Sequence, residues 1–202
     1  MADTKVSALS ALTGANVAQL SDVIPIVDTS VTTTKKILVS ELANAMFVLG
    51  TEQASTSGTY IDFTSIPSWV KRITVMLADI STSGISALLV QIGDAGGVES
   101  TGYVSGVTNS APNSTNSTAG FVVSVSQNAG GSYSGKVILE LEDATNFTWS
   151  STGFIARTDT GSVVSSLSVG TKSTSAALDR VRITTTGGTD TFDGGSINIL
   201  YE

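Results

Sequence analysis

Three acidic residues, Glu140, Glu142 and Asp143, stand close enough in the chain to suggest carboxylate chemistry. Hydrolysis of a glycosidic bond needs two carboxyl groups, roughly 5–9.5 Å apart, on either side of the bond. Glu140 and Glu142, however, alternate with apolar residues, which is the pattern of a solvated strand face. The spacing therefore favours a structural role, and we predict no catalytic residue and no enzyme activity.

Two residue types that most enzymes use are missing. The chain contains no histidine and no cysteine. It therefore lacks the usual neutral-pH base, a thiolate nucleophile and the side chains that most often bind zinc. Asp94 with Glu99, and Asp190 with Asp193, lie among glycines and could offer oxygen ligands to calcium, but their spacing matches no EF-hand loop. We predict no metal and no cofactor.

Two loops carry side chains that could recognise a ligand. Residues 107–119 contain few core-forming side chains, and residues 128–135 are rich in glycine. A loop as long as the first is usually functional or mobile in a compact domain, although a tolerated surface insertion is the alternative. Tyrosine side chains beside such loops are candidate contacts for a ligand, because each combines an apolar ring with a polar hydroxyl. The candidate receptor-binding residues are Tyr103 and Tyr133, which border the loops, and Asn113 and Asn116.

The charge pattern excludes two classes of partner. The net charge is -7 at neutral pH, and the ten lysines and arginines are scattered. Nucleic acid is not expected as a partner, because phosphate binding requires a coherent positive surface. No apolar run approaches the roughly 20 residues of a membrane span, and the N-terminus lacks the pattern of a secretory signal. Membrane insertion is therefore not expected.

The elements that position these side chains divide at about residue 50. In segment 1–50, residues 24–28 and 35–39 predict two strands joined by a Ser/Thr-rich turn, and Ser40 predicts the N-cap of a helix reaching Phe47. An apolar, edge-like hairpin can add to the sheet of a partner protein, and we predict that this hairpin attaches the chain in that way. The alternative is that the hairpin packs on the chain's own head domain. The candidate attachment residues are Ile24, Pro25, Ile26, Val27, Asp28, Lys35, Ile37, Val39 and Leu42.

Segment 51–202 is predicted to be one all-β domain. Apolar residues alternate with polar ones in short runs separated by turn residues, and no helix-length periodic segment lies between them. Eight to ten short strands at this spacing indicate an antiparallel β-sandwich, with the jelly roll as the favoured topology. The predicted strands lie at 60–64, 70–77, 86–92, 121–125, 136–142, 147–149, 153–156, 162–169, 180–184 and 196–201.

Several segments resemble the fibre proteins of tailed bacteriophages. Residues 63–75, 90–97, 101–103 and 195–202 are similar to a domain of tail-fibre and related structural proteins. Residues 24–28 followed by 34–42 resemble the virion-anchoring module that begins many fibres. One departure is the lack of a long shaft or an enzymatic β-helix between anchor and head.

The resemblance implies a homotrimer in the virion, made in the host cytoplasm, with its N-terminus held by another virion protein. A short tail or neck fibre would then display its heads to a host surface glycan or protein, where several weak contacts act together. The alternatives are an architectural decoration of capsid or neck without receptor binding and, ranked last, a glycan-cleaving spike.

Overall fold

The structure of the protein is a computed structural model that describes residues 23–28, 33–111, 113–125, 128–159 and 162–202. The chain divides into two compact units, Met1–Val48 and Leu49–Glu202. Residues 1–22, and the centre of the predicted Ser/Thr turn at 29–32, lie outside the described residues.

The smaller unit contains a β-hairpin followed by a short helix. Strands β1 (Val23–Asp28) and β2 (Thr33–Leu38) are antiparallel, with Ile24 opposite Ile37. Helix α1 (Val39–Asn44) begins one residue before the predicted N-cap and ends three residues before Phe47. The carboxylate of Glu41 accepts a hydrogen bond of 3.0 Å from the Leu38 backbone N–H. Glu41 lies in the first turn of α1 and caps its beginning through this bond. Ser40 lies within the helix, so it is not the N-cap.

Strands make up the rest of the described secondary structure. Alternating β-branched and polar residues favour this, since one face of each strand can then be buried. The strands are β3 (Val48–Leu49), β4 (Gln53–Ala54), β5 (Tyr60–Phe63), β6 (Arg72–Thr82), β7 (Leu88–Asp94), β8 (Gly97–Val98), β9 (Val104–Asn109), β10 (Ser114–Ser117), β11 (Phe121–Val122), β12 (Ser132–Asp143), β13 (Thr148–Asp159), β14 (Ser162–Ser173), β15 (Arg180–Thr185) and β16 (Phe192–Tyr201).

These strands form a larger and a smaller sheet. The larger sheet has the order β10-β9-β14-β13-β12-β6-β16-β3, with β4 also on β16, and the smaller has the order β11-β7-β15-β5, with β8 on β7. Strand pairing is antiparallel, for example between β12 and β13 and between β15 and β7. The predicted all-β antiparallel sandwich is confirmed. The jelly-roll topology stays a prediction.

The core lies between the inner faces of the two sheets. Ile73 and Val75 of β6 and Val137 and Leu139 of β12 are fully buried, as the alternation of these runs predicts. Each such side chain contributes about 1.5–3 kcal/mol through removal of its apolar surface from water. A smaller cluster, Ala87, Leu89, Val107 and Val122, packs apart from the main core.

Two parts of the predicted strand pattern are wrong. Residues 107–119 are largely a hairpin of β9 and β10, with Val107 opposite Thr115, and not a long irregular loop. The polar run Ser114–Ser117 pairs as a strand because its partner β9 is already held by β14. The two strands predicted at 147–149 and 153–156 are one continuous strand, β13, in which Gly153 faces the side chain of Ser168.

Candidate functional site

Tyr103 and Tyr133, two of the candidate receptor-binding residues, are buried in the core. Each is 1% exposed. The Tyr103 hydroxyl accepts a hydrogen bond of 2.8 Å from the Ile92 backbone N–H and donates to backbone carbonyls, including that of Glu99 at 2.9 Å. The Tyr133 hydroxyl accepts from the Asn128 backbone N–H at 3.1 Å. Their polar tips satisfy buried backbone groups, which argues against the receptor role predicted for both tyrosines.

Tyr133 lies on the inner face of β12 by simple alternation, since Val137 and Leu139 on the same face are also buried. The pairing of β12 with β6 shifts between Tyr133 and Gly135, and the φ angle of Gly135 is 146°. A Cβ atom there would meet the backbone of Ile155 at 2.7 Å. Glycine thus permits both the unusual backbone angle and the close contact with β13 at this point.

The acidic pair Asp94 and Glu99 forms part of a buried network of hydrogen bonds and an ion pair. Asp94 accepts hydrogen bonds from the Ser175 hydroxyl and, at 2.7 Å, from the Gly96 backbone N–H. Glu99 forms an ion pair with the buried amine of Lys172 and accepts from the Ser175 backbone N–H at 2.7 Å. Across the described ranges, no group of three or more acidic residues could hold a metal ion.

Hydrogen bonds and charge lower the pKa of both carboxyl groups. The Ser175 hydroxyl and the Gly96 N–H hold the pKa of Asp94 below its usual value. Burial alone would raise the pKa of Glu99, but the hydrogen bonds and charge from Lys172 and the N–H of Ser175 outweigh it, so the net pKa is lowered. Both groups therefore favour the folded state when they are ionised.

We expect acid to destabilise the protein through this network. A depressed folded-state pKa contributes stability above the unfolded pKa, about 4 for these groups, that is lost as the pH falls through the folded pKa. Urea unfolding should show a midpoint that drops between about pH 5 and pH 2, and Asp94→Asn should flatten that drop. Glu142→Gln, at an exposed position, is the matched control and should leave the slope unchanged. An unaltered slope in Asp94→Asn would contradict this assignment.

Four further acidic candidates, Glu140, Asp143, Asp190 and Asp193, have partners within the protein. Glu140 lies 3.4 Å from Arg72, and Asp143 caps a turn by accepting from the Thr145 N–H at 2.7 Å. Asp190 accepts from the Ser86 N–H at 2.9 Å, and Asp193 accepts from the Ser81 hydroxyl. Each of these four carboxylates therefore has a structural role in the fold.

The larger sheet presents an outer surface without charge, which we call the uncharged face. It comprises the outward residues of three neighbouring strands, β9, β14 and β13, where Leu167 pairs with Phe154 and with Thr108. Five of its apolar side chains are 54–71% exposed. Charge returns only on the next strand, β12, with Lys136 and Glu140. The outward residues are Val104, Gly106, Thr108, Ser150, Thr152, Phe154, Ala156, Thr158, Val163, Ser165, Leu167, Val169, Thr171 and Ser173.

In β14 polar side chains point into the protein and apolar side chains point to the surface, which is the opposite of the usual arrangement in a half-buried strand. Ser166 and Ser168 point inward and are 6% and 3% exposed, whereas Leu167 and Val169 point outward. At Gly170, also on the inner face, a side chain is excluded because the ring of Phe121 approaches to 2.8 Å from where a Cβ would lie. Apolar alternation alone predicts the opposite orientation, so sequence reasoning missed this surface.

A groove runs along the edge of the uncharged face. It has a volume of about 720 Å³ and is lined by Val104, Gly106, Val169 and Thr171 together with Asn116 of β10. The Asn116 carboxamide oxygen lies 3.0 Å from where a Cβ on Gly106 would be, so this side chain lies over the glycine. Asn113 and Asn116 are both exposed. Of the predicted receptor residues, Asn116 and the buried Tyr103 line this groove.

The candidate attachment residues all belong to the smaller unit. The hairpin places Pro25 opposite Lys36, Ile26 opposite Lys35, Val27 opposite Thr34 and Asp28 opposite Thr33. Ile24 is 39% exposed and Leu42 is 44% exposed, while Ile37 and Val39 are half-buried. The exposed apolar side chains leave this unit with surface available to a partner.

Comparison with known proteins adds no relative. No protein-family model, no curated protein and no solved structure matches the chain. None of the helices in the described part of the chain has the length and apolar character that a membrane crossing requires.

Proposed function

We propose that the chain is a non-enzymatic structural protein of a bacteriophage virion: a short tail or neck fibre. The smaller unit anchors it to another virion protein. The larger unit forms a trimeric head that adheres to the host surface. The observation that carries the proposal is the uncharged face, because an exposed apolar sheet surface of this extent is typical of proteins that work in assemblies.

Charge favours copies of the same chain as the occupants of this face. A net charge of -7 makes identical chains repel one another over most of their surface. The uncharged face is a large region where copies can approach without that repulsion. Its five exposed apolar side chains and the surrounding Ser and Thr form a continuous surface for such an interface, which in stable complexes takes roughly 800 Å² from each partner.

Location in the particle tests the proposal. Particles purified from cells that produce the chain should contain it, and antibody fragments against the larger unit should label the tail or neck and block adsorption to the host. Recovery of the chain free of particles would overturn the proposal. Labelling that leaves adsorption intact would favour the second candidate, an architectural decoration, for which the uncharged face would serve contacts between virion subunits.

A further inference from the structure

A recess on the outer surface of the smaller sheet has features of a ligand site. It has a volume of about 460 Å³, within the range of small-molecule pockets. Its floor comes from Tyr60 of β5, Gln91 of β7, and Arg182 and Thr184 of β15, which are neighbours in the sheet. We call this cavity the Tyr60 recess. It lies on the opposite sheet from the uncharged face.

The charge of the Tyr60 recess is balanced. Arg182 donates two hydrogen bonds, each 2.7 Å, to the two carboxylate oxygens of Asp62. This bidentate pairing neutralises the guanidinium, so the site offers no net charge to an ion. A guanidinium has five N–H donors, and two are used by Asp62, which leaves donors for a neutral ligand.

The recess also combines an aromatic ring with free acceptors. The Tyr60 ring is 50% exposed, and the Arg182 guanidinium lies 3.9 Å from its centre, which holds the ring in place. The Gln91 side-chain nitrogen donates to the Ala119 carbonyl at 2.8 Å, and this leaves the Gln91 carboxamide oxygen as an acceptor. Thr184 donates to the Thr59 carbonyl at 2.8 Å and keeps its oxygen lone pairs.

From these features we propose that the Tyr60 recess binds a neutral sugar. A pyranose ring has a C–H face that packs on an aromatic ring, and hydroxyls that both donate and accept. Arg182 donates to one hydroxyl, while Gln91 and Thr184 accept from others. An anionic or cationic ligand would find no opposing net charge. The proposal gives the ligand class for the adhesion proposed above, but the binding itself does not depend on a virion.

Titration of the full chain with single sugars tests the assignment. The probes are the methyl glycosides of glucose, galactose, mannose and N-acetylglucosamine, with sialic acid as the anionic comparison. Neutral probes should shift the backbone amide NMR signals of Ser100, Gly187 and Gly188, which rim the recess. Tyr60→Ala should weaken binding at least tenfold, while Tyr60→Phe, which keeps the ring, should retain most of it.

Trp69→Ala is the matched control, since Trp69 is an exposed aromatic residue at 46% that does not line the recess. Failure of all the neutral probes to shift the rim signals, preference for sialic acid, or an equal loss of binding in Trp69→Ala would each overturn the assignment. Because these measurements use the purified chain, their failure would leave the virion location to be decided separately.

Discussion

Tyr103→Ala is expected to lower the free energy of unfolding by about 3–5 kcal/mol, the usual cost of removing a buried aromatic side chain. The ring packs edge-on against Phe121 with 5.0 Å between ring centres. Its hydroxyl also binds the backbone N–H of Ile92 and the carbonyl of Glu99. The substitution therefore leaves both a cavity and an unpaired buried donor. Chemical denaturation followed by fluorescence or circular dichroism measures the loss.

Two further variants separate the ring from its hydroxyl. Tyr103→Phe keeps the packing but leaves the Ile92 N–H unsatisfied, so a loss of about 1–3 kcal/mol is expected. Tyr60→Ala makes the same truncation at a half-exposed ring, and there the loss should stay near 1 kcal/mol or below. If Tyr103→Ala proved no more costly than Tyr60→Ala, the burial of Tyr103 would be contradicted.

Leu167→Asp is expected to weaken self-association of the chain by at least about 100-fold, because each interface would bury an unpaired carboxylate. Leu167 lies near the centre of the uncharged face and is 54% exposed, so the folded chain tolerates a charge there. Sedimentation velocity over a range of concentrations should show trimers for the natural chain and monomers for the variant. The two proteins should unfold at similar denaturant concentrations.

Ile85→Asp provides the matched control. Ile85 is 72% exposed and lies outside the three strands of the uncharged face, so the same chemical change should leave association intact. A natural chain that stays monomeric at high concentration would refute self-association through this face. Association that survives in Leu167→Asp would place the interface elsewhere.

Strands with one clearly apolar face could be predicted from sequence. The alternation of Ile73, Val75 and Leu77 placed these residues inward, and all three are buried. Hairpin β1–β2 could be anticipated from its two apolar runs around a Ser/Thr turn. In each case local alternation carries the information, since one face of a strand must leave water.

Several features that depend on contacts between distant parts of the chain could not be predicted from local alternation. The polar run Ser114–Ser117 has little strand character by itself, yet it completes a hairpin on β9. Tyr103 and Tyr133 border turns and resembled surface residues, but their hydroxyls satisfy backbone groups in the core. Strand β14 carries Leu167 and Val169 outward, while the ring of Phe121 fills the space beside Gly170 on the inner face. None of these contacts is local in sequence.

The sequence by itself determined the all-β class and the strands that have one clearly apolar face. Only the tertiary structure decided which surfaces can bind. Asp62 and Arg182, 120 positions apart, meet because β5 pairs with β15, and Gln91 joins them from β7. Periodicity specifies which residues share a face of one strand, whereas sheet order specifies which strands are neighbours. That order depends on packing across the whole sandwich.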